Sequence, residues 1–179
     1  MKTVFLDRDG TIIIDKNYLS DPSLVELENV AGEGLALLQE AGFQLIGVTN
    51  QSGVGRGYFG LDSVVGCNQR VDELLSAFGV KIATWLVCPH SPEERCSCRK
   101  PMTGLIDKAA SRFKIDSERS FVVGDKDSDL MLAKNAKLNG ILVLTGSGKM
   151  HIHAASTLKF PYAKDLLAAA RLIICSEQT

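Results

Sequence analysis

The chain has 179 residues, a formal net charge of −1, 45% hydrophobic and 23% charged residues, and five cysteines. That composition fits one globular unit spanning residues 1–179 with a substantial core, and the near-zero charge excludes a polybasic nucleic-acid or membrane surface. No apolar run is long enough to span a bilayer and the N-terminus lacks a signal-peptide pattern, so a cytoplasmic monomer with no nucleic-acid or membrane partner is expected. In that compartment cysteines argue for metal binding or incidental core use, not for a disulfide framework.

Thr3 to Leu6 is a short apolar run rich in β-formers that ends in two carboxylates, Asp7 and Asp9, before Gly10. It reads as a buried strand with Asp7 at its C-terminal end, the edge where open α/β sheets bind ligands. Two acids so close repel each other unless a cation or a proton intervenes. A polar loop, Asp15-Lys16-Asn17-Tyr18, follows. Val30 to Ala41 has apolar residues at helical spacing, with Gly42 as a stop. Phe43 to Thr49 is a second buried strand ending in Thr49-Asn50-Gln51-Ser52. Gly53, Gly55, Gly57 and Gly60 make the next stretch a flexible loop carrying Arg56, and Leu61 to Phe78 reads as a helix.

Ile82 to Cys88 is a third strand, followed by a cysteine- and proline-rich loop to Pro101. Leu105 to Phe113 is helical. Ser120 to Val123 is a strand ending in Gly124-Asp125-Lys126-Asp127-Ser128-Asp129. Leu130 to Ala136 is helical, Ile141 to Leu144 is a strand, and a last helix covers Ala163 to Ile173. His151 and His153 fall in a solvated loop, and Asp127 is a solvated acid at a helix N-terminus. Repeated β-α units imply an α/β fold, a three-layer Rossmann-like parallel sheet with helices on both faces. The short loops leave no room for an inserted cap domain.

Parallel strands bring the polar residues that follow them to one side of the sheet. A single crevice then holds Asp7 and Asp9 after the first strand, Thr49 and Asn50 after the second, and Asp125 after the fourth. Carboxylates with water and a phosphate oxygen form the hard oxygen shell that suits Mg²⁺. A second constellation, Cys88, His90, Cys96 and Cys98, matches a closed, structural four-ligand Zn²⁺ site. Its one-residue spacers are tighter than usual, but such groups in a polar loop are not core filler, and Cys96 and Cys98 are too close for a good disulfide. The metal would fix a loop too polar to fold by burial and hold Arg99 and Lys100 beside the crevice. Cys67 and Cys175 read as incidental.

Asp7-Arg8-Asp9-Gly10-Thr11, then Thr49, Lys100 and Gly124-Asp125-x-x-x-Asp129 resemble, in order, the four motifs of haloacid-dehalogenase-type (HAD-like) phosphatases. The segments Thr49 to Gly53, Cys88-Pro89-His90 and Cys98-Arg99-Lys100-Pro101 resemble the capless branch that contains heptose bisphosphate and histidinol-phosphate phosphatases. The resemblance implies that Asp7 attacks phosphorus and that Mg²⁺ is held by Asp7, a main-chain oxygen of Asp9, and Asp125. It implies that Asp9 is the general acid and base, that Thr49 and Asn50 donate to the phosphoryl group, and that Lys100 stabilises its charge. Asp129 is an orienting group. Asp15, Lys16, Asn17, Tyr18, Gln51, Ser52, Arg56, Arg99 and Lys126 are expected on the substrate side.

The features divide over the substrate, a small phosphate monoester in either case and a sugar phosphate in the heptose reading. The short spacing from His90 to Cys96 resembles the histidinol-phosphate phosphatases, whereas Ser52-Gly53-Val54-Gly55-Arg56-Gly57 and Gly124-Asp125-Lys126 resemble the heptose group. Loop chemistry outweighs loop length, because insertions at a surface loop cost little. The resemblance therefore implies removal of the 7-phosphate of D-glycero-D-manno-heptose 1,7-bisphosphate, in making heptose precursors of surface polysaccharide. Arg56, in its glycine-rich loop, is expected to take the second phosphate. A receiver-type phospho-acceptor module also puts acids at strand ends, but it lacks a D-x-D acid and has no use for the cysteine loop.

Overall fold

The computed structural model describes residues 1–177. Strands β1 (Thr3–Leu6), β2 (Gln44–Asn50), β3 (Thr84–Cys88), β4 (Phe121–Gly124), β5 (Asn139–Val143) and β6 (Tyr162–Ala163) form one parallel sheet in the order β3-β2-β1-β4-β5-β6. Between them run α1 (Ala31–Glu40), α2 (Ser52–Gly55), α3 (Leu61–Ser76), α4 (Gly104–Ala110), α5 (Asp127–Asn135) and α6 (Ile152–Leu158), and α7 (Leu166–Ser176) closes the fold. The sheet is apolar on both faces because both are covered. Val4, Leu6 and Val123 pack with Leu35 of α1, Val71 of α3 and Ile173 of α7. Phe5, Ile46 and Val122 face the other way, onto Ile106 of α4 and Leu132 of α5.

The order of the strands fixes where a ligand binds. From central β1 the chain builds β2 and β3 on one side, then returns to place β4 on the other. Connections that leave adjacent strands in opposite directions open a crevice beyond the strands' carboxyl ends. Leu6 is in register with Gly47 and Val123. Asp7 therefore sits at that crevice, Asp125 stands across it after β4, and β2 runs on past the end of β1 to bring Thr49 and Asn50 alongside. Asn50 is itself in register with Cys88. Among the described residues no cap domain is inserted, and no helix is long and apolar enough to cross a membrane.

Three expectations are corrected. The first part of the glycine-rich segment after β2 is packed rather than an open loop: Ser52–Gly55 is a helical turn, and a Cβ on Gly55 would lie 2.4 Å from Glu94 Oε2 and 2.5 Å from the Ser91 amide, whereas one on Gly57 or Gly60 would meet nothing within 4 Å. His151 and His153 are in helical structure, a 3-10 turn over Gly148–His151 that runs into α6. The last helix starts later than expected, because Ala163 pairs with Val143 in β6. Asp165 then caps α7 by accepting from the Ala168 amide at 2.8 Å, which stops the helix from extending backwards.

Candidate active site

Lys100 is the hub of the crevice. It is 4% exposed, and its Nζ lies 2.8 Å from Asp7 Oδ1 and 2.7 Å from Asp129 Oδ1 and donates to the Val48 carbonyl at 3.0 Å. The carbonyl takes one ammonium proton, and the two carboxylates hold the charge as ion pairs. Burial alone would pull the ammonium down, but Asp129 and Asp7 hold it well above its ordinary value. No strand carries Lys100. Its backbone is tied to Asn50, whose Oδ1 accepts from the Lys100 amide at 3.0 Å and whose Nδ2 donates to the Lys100 carbonyl at 3.2 Å. Asn50 thus serves as a tether for the lysine.

Asp7 Oδ1 also accepts from the Arg8 amide at 2.7 Å. That oxygen is held from two sides, and Oδ2 is the one without a donor among the described residues. Asp125 is buried, with Oδ2 accepting from the amide and hydroxyl of Ser147 at 2.8 and 2.9 Å. Its Oδ1 is buried with no hydrogen-bond partner. The chain passes very close: a Cβ on Gly10 or on Gly146 would lie 2.4 Å from Asp125 Oδ2, and both glycines have positive φ. Oxygens of Asp7, Asp125 and Asp129 all lie within 4.8 Å of one another. Burial, then Asp7, pushes the Asp125 carboxyl up. Three buried acids against one ammonium, with an orphaned carboxylate oxygen among them, fit a divalent cation bound through oxygen.

The crevice opens into a cavity of about 230 Å³. Asp7, Asp9, Asp15, Asn17, Tyr18, Asn50, Gln51, Ser52, Arg99, Lys100 and Lys126 line it. Two residues expected there point elsewhere. Lys16 is held at 2.5 Å by Glu26 and donates to the Leu24 carbonyl, and Arg56 lies 3.3 Å from Glu93. The cations that do reach the cavity are Arg99, whose Nη1 donates to the His90 carbonyl at 3.4 Å, and Lys126, which lies 3.4 Å from Asp15. Burial would lower the Lys126 ammonium, but Asp7, Asp125 and Asp15 raise it. Thr49 lies beneath the lining, 1% exposed, with its hydroxyl accepting from Gln51 Nε2 at 2.8 Å. Asp129 accepts from the Lys126 amide at 3.1 Å, and Asp127 is exposed at the start of α5, as expected.

Two polar residues beside the site, Arg8 and Asn68, are not among those expected from the sequence. Arg8 is fully buried against Asp9 and Asn68, and Asn68 lies on the buried stripe of α3 with Val64, Val71 and Leu75. An asparagine on the apolar face of an amphipathic helix is the cue that points to a buried polar partner.

The cysteine loop forms a tight cluster. Cys88 Sγ is 3.6 Å from Cys96 Sγ and 3.3 Å from Cys98 Sγ, Cys96 and Cys98 are 3.5 Å apart, and His90 Nδ1 is 3.2 Å from Cys98 Sγ and 3.6 Å from Cys88 Sγ. Thiolates around one tetrahedral ion at the usual bond length are about 3.7 Å apart, so four such donors fit one metal ion. Burial and the crowding by Cys98 and Cys96 push the Cys88 thiol well above its ordinary value, a cost that a cation would relieve. The cluster abuts the crevice through the Gln51 amide, which donates to the Cys88 carbonyl at 2.8 Å.

A family model described as HAD-hydrolase-like matches residues 97–169. A D-glycero-beta-D-manno-heptose-1,7-bisphosphate 7-phosphatase of Helicobacter pylori is 41% identical over 145 residues, 80% of this chain and 83% of that one. Its counterpart in Pseudomonas putida is 36% identical over 182 residues, 97% of this chain and 100% of that one. The crystal structure of the D,D-heptose 1,7-bisphosphate phosphatase from B. bronchiseptica, complexed with magnesium and phosphate, superimposes with a TM-score of 0.91 at 29% identity, covering 98% of this chain and 99% of that one.

Replacing Lys100 with Ala leaves Asp7 and Asp129 buried without their cation, and should lower the free energy of unfolding in urea by about 3–5 kcal/mol at neutral pH. Burial already pushes Asp129 from 3.8 up to about 7. A carboxyl raised in the folded state destabilises it progressively as the pH climbs from the unfolded value through the folded one. The deficit of Lys100→Ala should therefore be smallest in acid and grow towards neutrality, and urea titrations over that range measure it.

Proposed function

The chain belongs to the HAD-like hydrolases, among the D-glycero-D-manno-heptose-1,7-bisphosphate 7-phosphatases, and we propose that it releases the 7-phosphate of D-glycero-D-manno-heptose 1,7-bisphosphate on the way to activated heptose for surface polysaccharide. It is a phosphatase. The observation that carries the residue assignments is the commitment of Asp7 Oδ1 to Lys100 and the Arg8 amide, which leaves Oδ2 for phosphorus. Asp7 attacks, the bond from phosphorus to the sugar oxygen breaks, and Asp9 gives that oxygen a proton. Asp9 then takes a proton from water, which attacks the aspartyl-phosphate, releases inorganic phosphate and restores Asp7. Lys100 and the Thr49 hydroxyl stabilise the transferring group.

Mg²⁺ suits the oxygen site, with Asp7, Asp125 and the main-chain oxygen of Asp9 as ligands, and when bound it offsets the repulsion between two anions. Zn²⁺ suits Cys88, His90, Cys96 and Cys98, a closed set with a structural task. The phosphate that does not react needs cations away from Asp7. Arg99 and Lys126 take that role in place of Arg56, which Glu93 holds outside the cavity lining. Asp15, Asn17, Tyr18, Gln51 and Ser52 offer hydrogen bonds to the sugar. Residues 1–179 act as one catalytic unit, monomeric and cytoplasmic, with no nucleic-acid or membrane partner.

A panel of sugar phosphates assayed with Mg²⁺ tests the substrate. The heptose bisphosphate should have the highest kcat/KM, and Arg99→Ala should raise its KM while affecting a monophosphate less. A higher kcat/KM on histidinol phosphate would overturn the assignment. Asp7→Asn should abolish turnover in a folded protein, and Asp9→Asn should lose about 10²–10⁴-fold. Wild-type turnover by either variant removes that residue from its role. Elemental analysis should find about one zinc per chain, and Cys98→Ser should lose zinc, solubility and activity together. Full activity in zinc-free protein would refute the structural metal.

A further inference from the structure

Arg8 takes no part in the proton or phosphoryl transfers, yet it is a fully buried charge beside them. Its guanidinium lies side-on against Asp9, with Nε donating to Oδ2 at 3.1 Å and Nη2 donating to Oδ1 at 3.0 Å while lying 2.9 Å from Oδ2. Nη1 turns the other way and donates to Asn68 Oδ1 on α3 at 2.9 Å. Gln51 Nε2 donates to the same Asp9 Oδ2 at 2.8 Å. A buried guanidinium is expensive to desolvate, and a core holds one only where its fork is matched. Here the matching carboxylate is not another core group. Asp9 lines the cavity, with its side chain 16% exposed.

The partners distinguish the two oxygens of Asp9. Oδ2 accepts from Arg8 Nε and Gln51 Nε2, which fills both in-plane lone pairs. Oδ1 accepts one hydrogen bond among the described residues and keeps a lone pair. We propose that Arg8, itself oriented by Asn68, is the positioning residue for Asp9, and that the proton enters and leaves Asp9 at Oδ1. The proton held on Oδ1 passes to the sugar oxygen as its bond to phosphorus breaks, and Oδ1 then receives a proton from the attacking water. Asn68 keeps the guanidinium from swinging, so the carboxylate that it grips has one orientation. This inference rests on the reading of Asp9 as general acid and base.

The test compares leaving groups. p-Nitrophenolate departs without a proton, whereas a sugar alkoxide requires one, so loss of a positioned acid slows only the second. Arg8→Lys keeps the charge but loses the fork; Asn68→Ala keeps Arg8 and frees its far side, and carries the test if Arg8→Lys does not fold. Each is assayed with enzyme in excess, so that leaving-group release reports the first transfer alone, with Asp9→Asn as reference. Release from the best sugar phosphate of the panel should slow by about ten- to a hundredfold, with release from p-nitrophenyl phosphate falling by no more than about threefold. The KM for the sugar phosphate should stay near that of the wild type. If Asp9→Asn discriminates between the leaving groups but the Arg8 and Asn68 variants slow both equally, Arg8 is a structural charge and the inference is wrong. If Asp9→Asn does not discriminate, the acid role of Asp9 fails first and takes the inference with it.

Discussion

One buried ammonium group organises this molecule. Lys100 Nζ sits between Asp7 and Asp129 and bonds the Val48 carbonyl of β2, so one nitrogen ties together the loop after β1, the start of α5 and the end of β2. Those elements come from distant parts of the chain, and the acids they bring would repel each other in a dry crevice. The lysine makes their approach possible without removing all the negative charge. Asp125 remains, with an oxygen bonded to nothing, and that remainder suits a divalent ion. Asp7 is thereby held by one oxygen and left available at the other.

Holding that ammonium is difficult, because Lys100 lies in a polar loop between β3 and α4 with little apolar surface to bury. The register of the sheet supplies one answer: Asn50, at the end of β2, grips the Lys100 backbone at both its amide and its carbonyl. Cys88, the partner of Asn50 across the sheet, opens the sulfur cluster, and Cys98 closes it two residues before Lys100. A metal at that cluster would be a substitute for a hydrophobic core, fixing a loop by ligation where burial cannot. Arg99 lies between the last sulfur ligand and the lysine, so the same anchor sets its place at the cavity.

The sheet and most of the crevice are legible in the sequence because their signals are local. A buried four-residue strand ending in Asp-x-Asp, and a second ending in Gly-Asp, mark the two edges of the switch point without any knowledge of contacts. The parts that are not legible depend on partners far along the chain. Lys16 and Arg56 look like substrate cations in the sequence, but the fold sets them outside the cavity lining, beside Glu26 and Glu93. Arg8 and Asn68 are separated by 60 positions, and nothing near Arg8 says that it is buried. The helix α6 shows its inward face mainly through Ala155, fully buried, too weak an apolar pattern to predict from periodicity. β6 is shorter still, and its existence depends on pairing with β5.

The charges around the cavity bear on how a phosphatase without a cap selects its substrate. Most of the cations near the site already have acid partners. Lys100 has Asp7 and Asp129, and Lys126 has Asp15. An incoming phosphate must compete with those carboxylates, which weakens retention of any small anion that offers a single group. Arg99 differs: among the described residues its partner is a carbonyl, His90 O at 3.4 Å, and no carboxylate lies within ion-pair distance. Its guanidinium fork is therefore the cheapest place in the cavity to set a phosphate, since no existing ion pair has to break. A ligand with two phosphates can put one at Asp7 and the other at Arg99. On this reading the preference for a bisphosphate comes from which cation the fold leaves without a carboxylate, and no lid is required to create it.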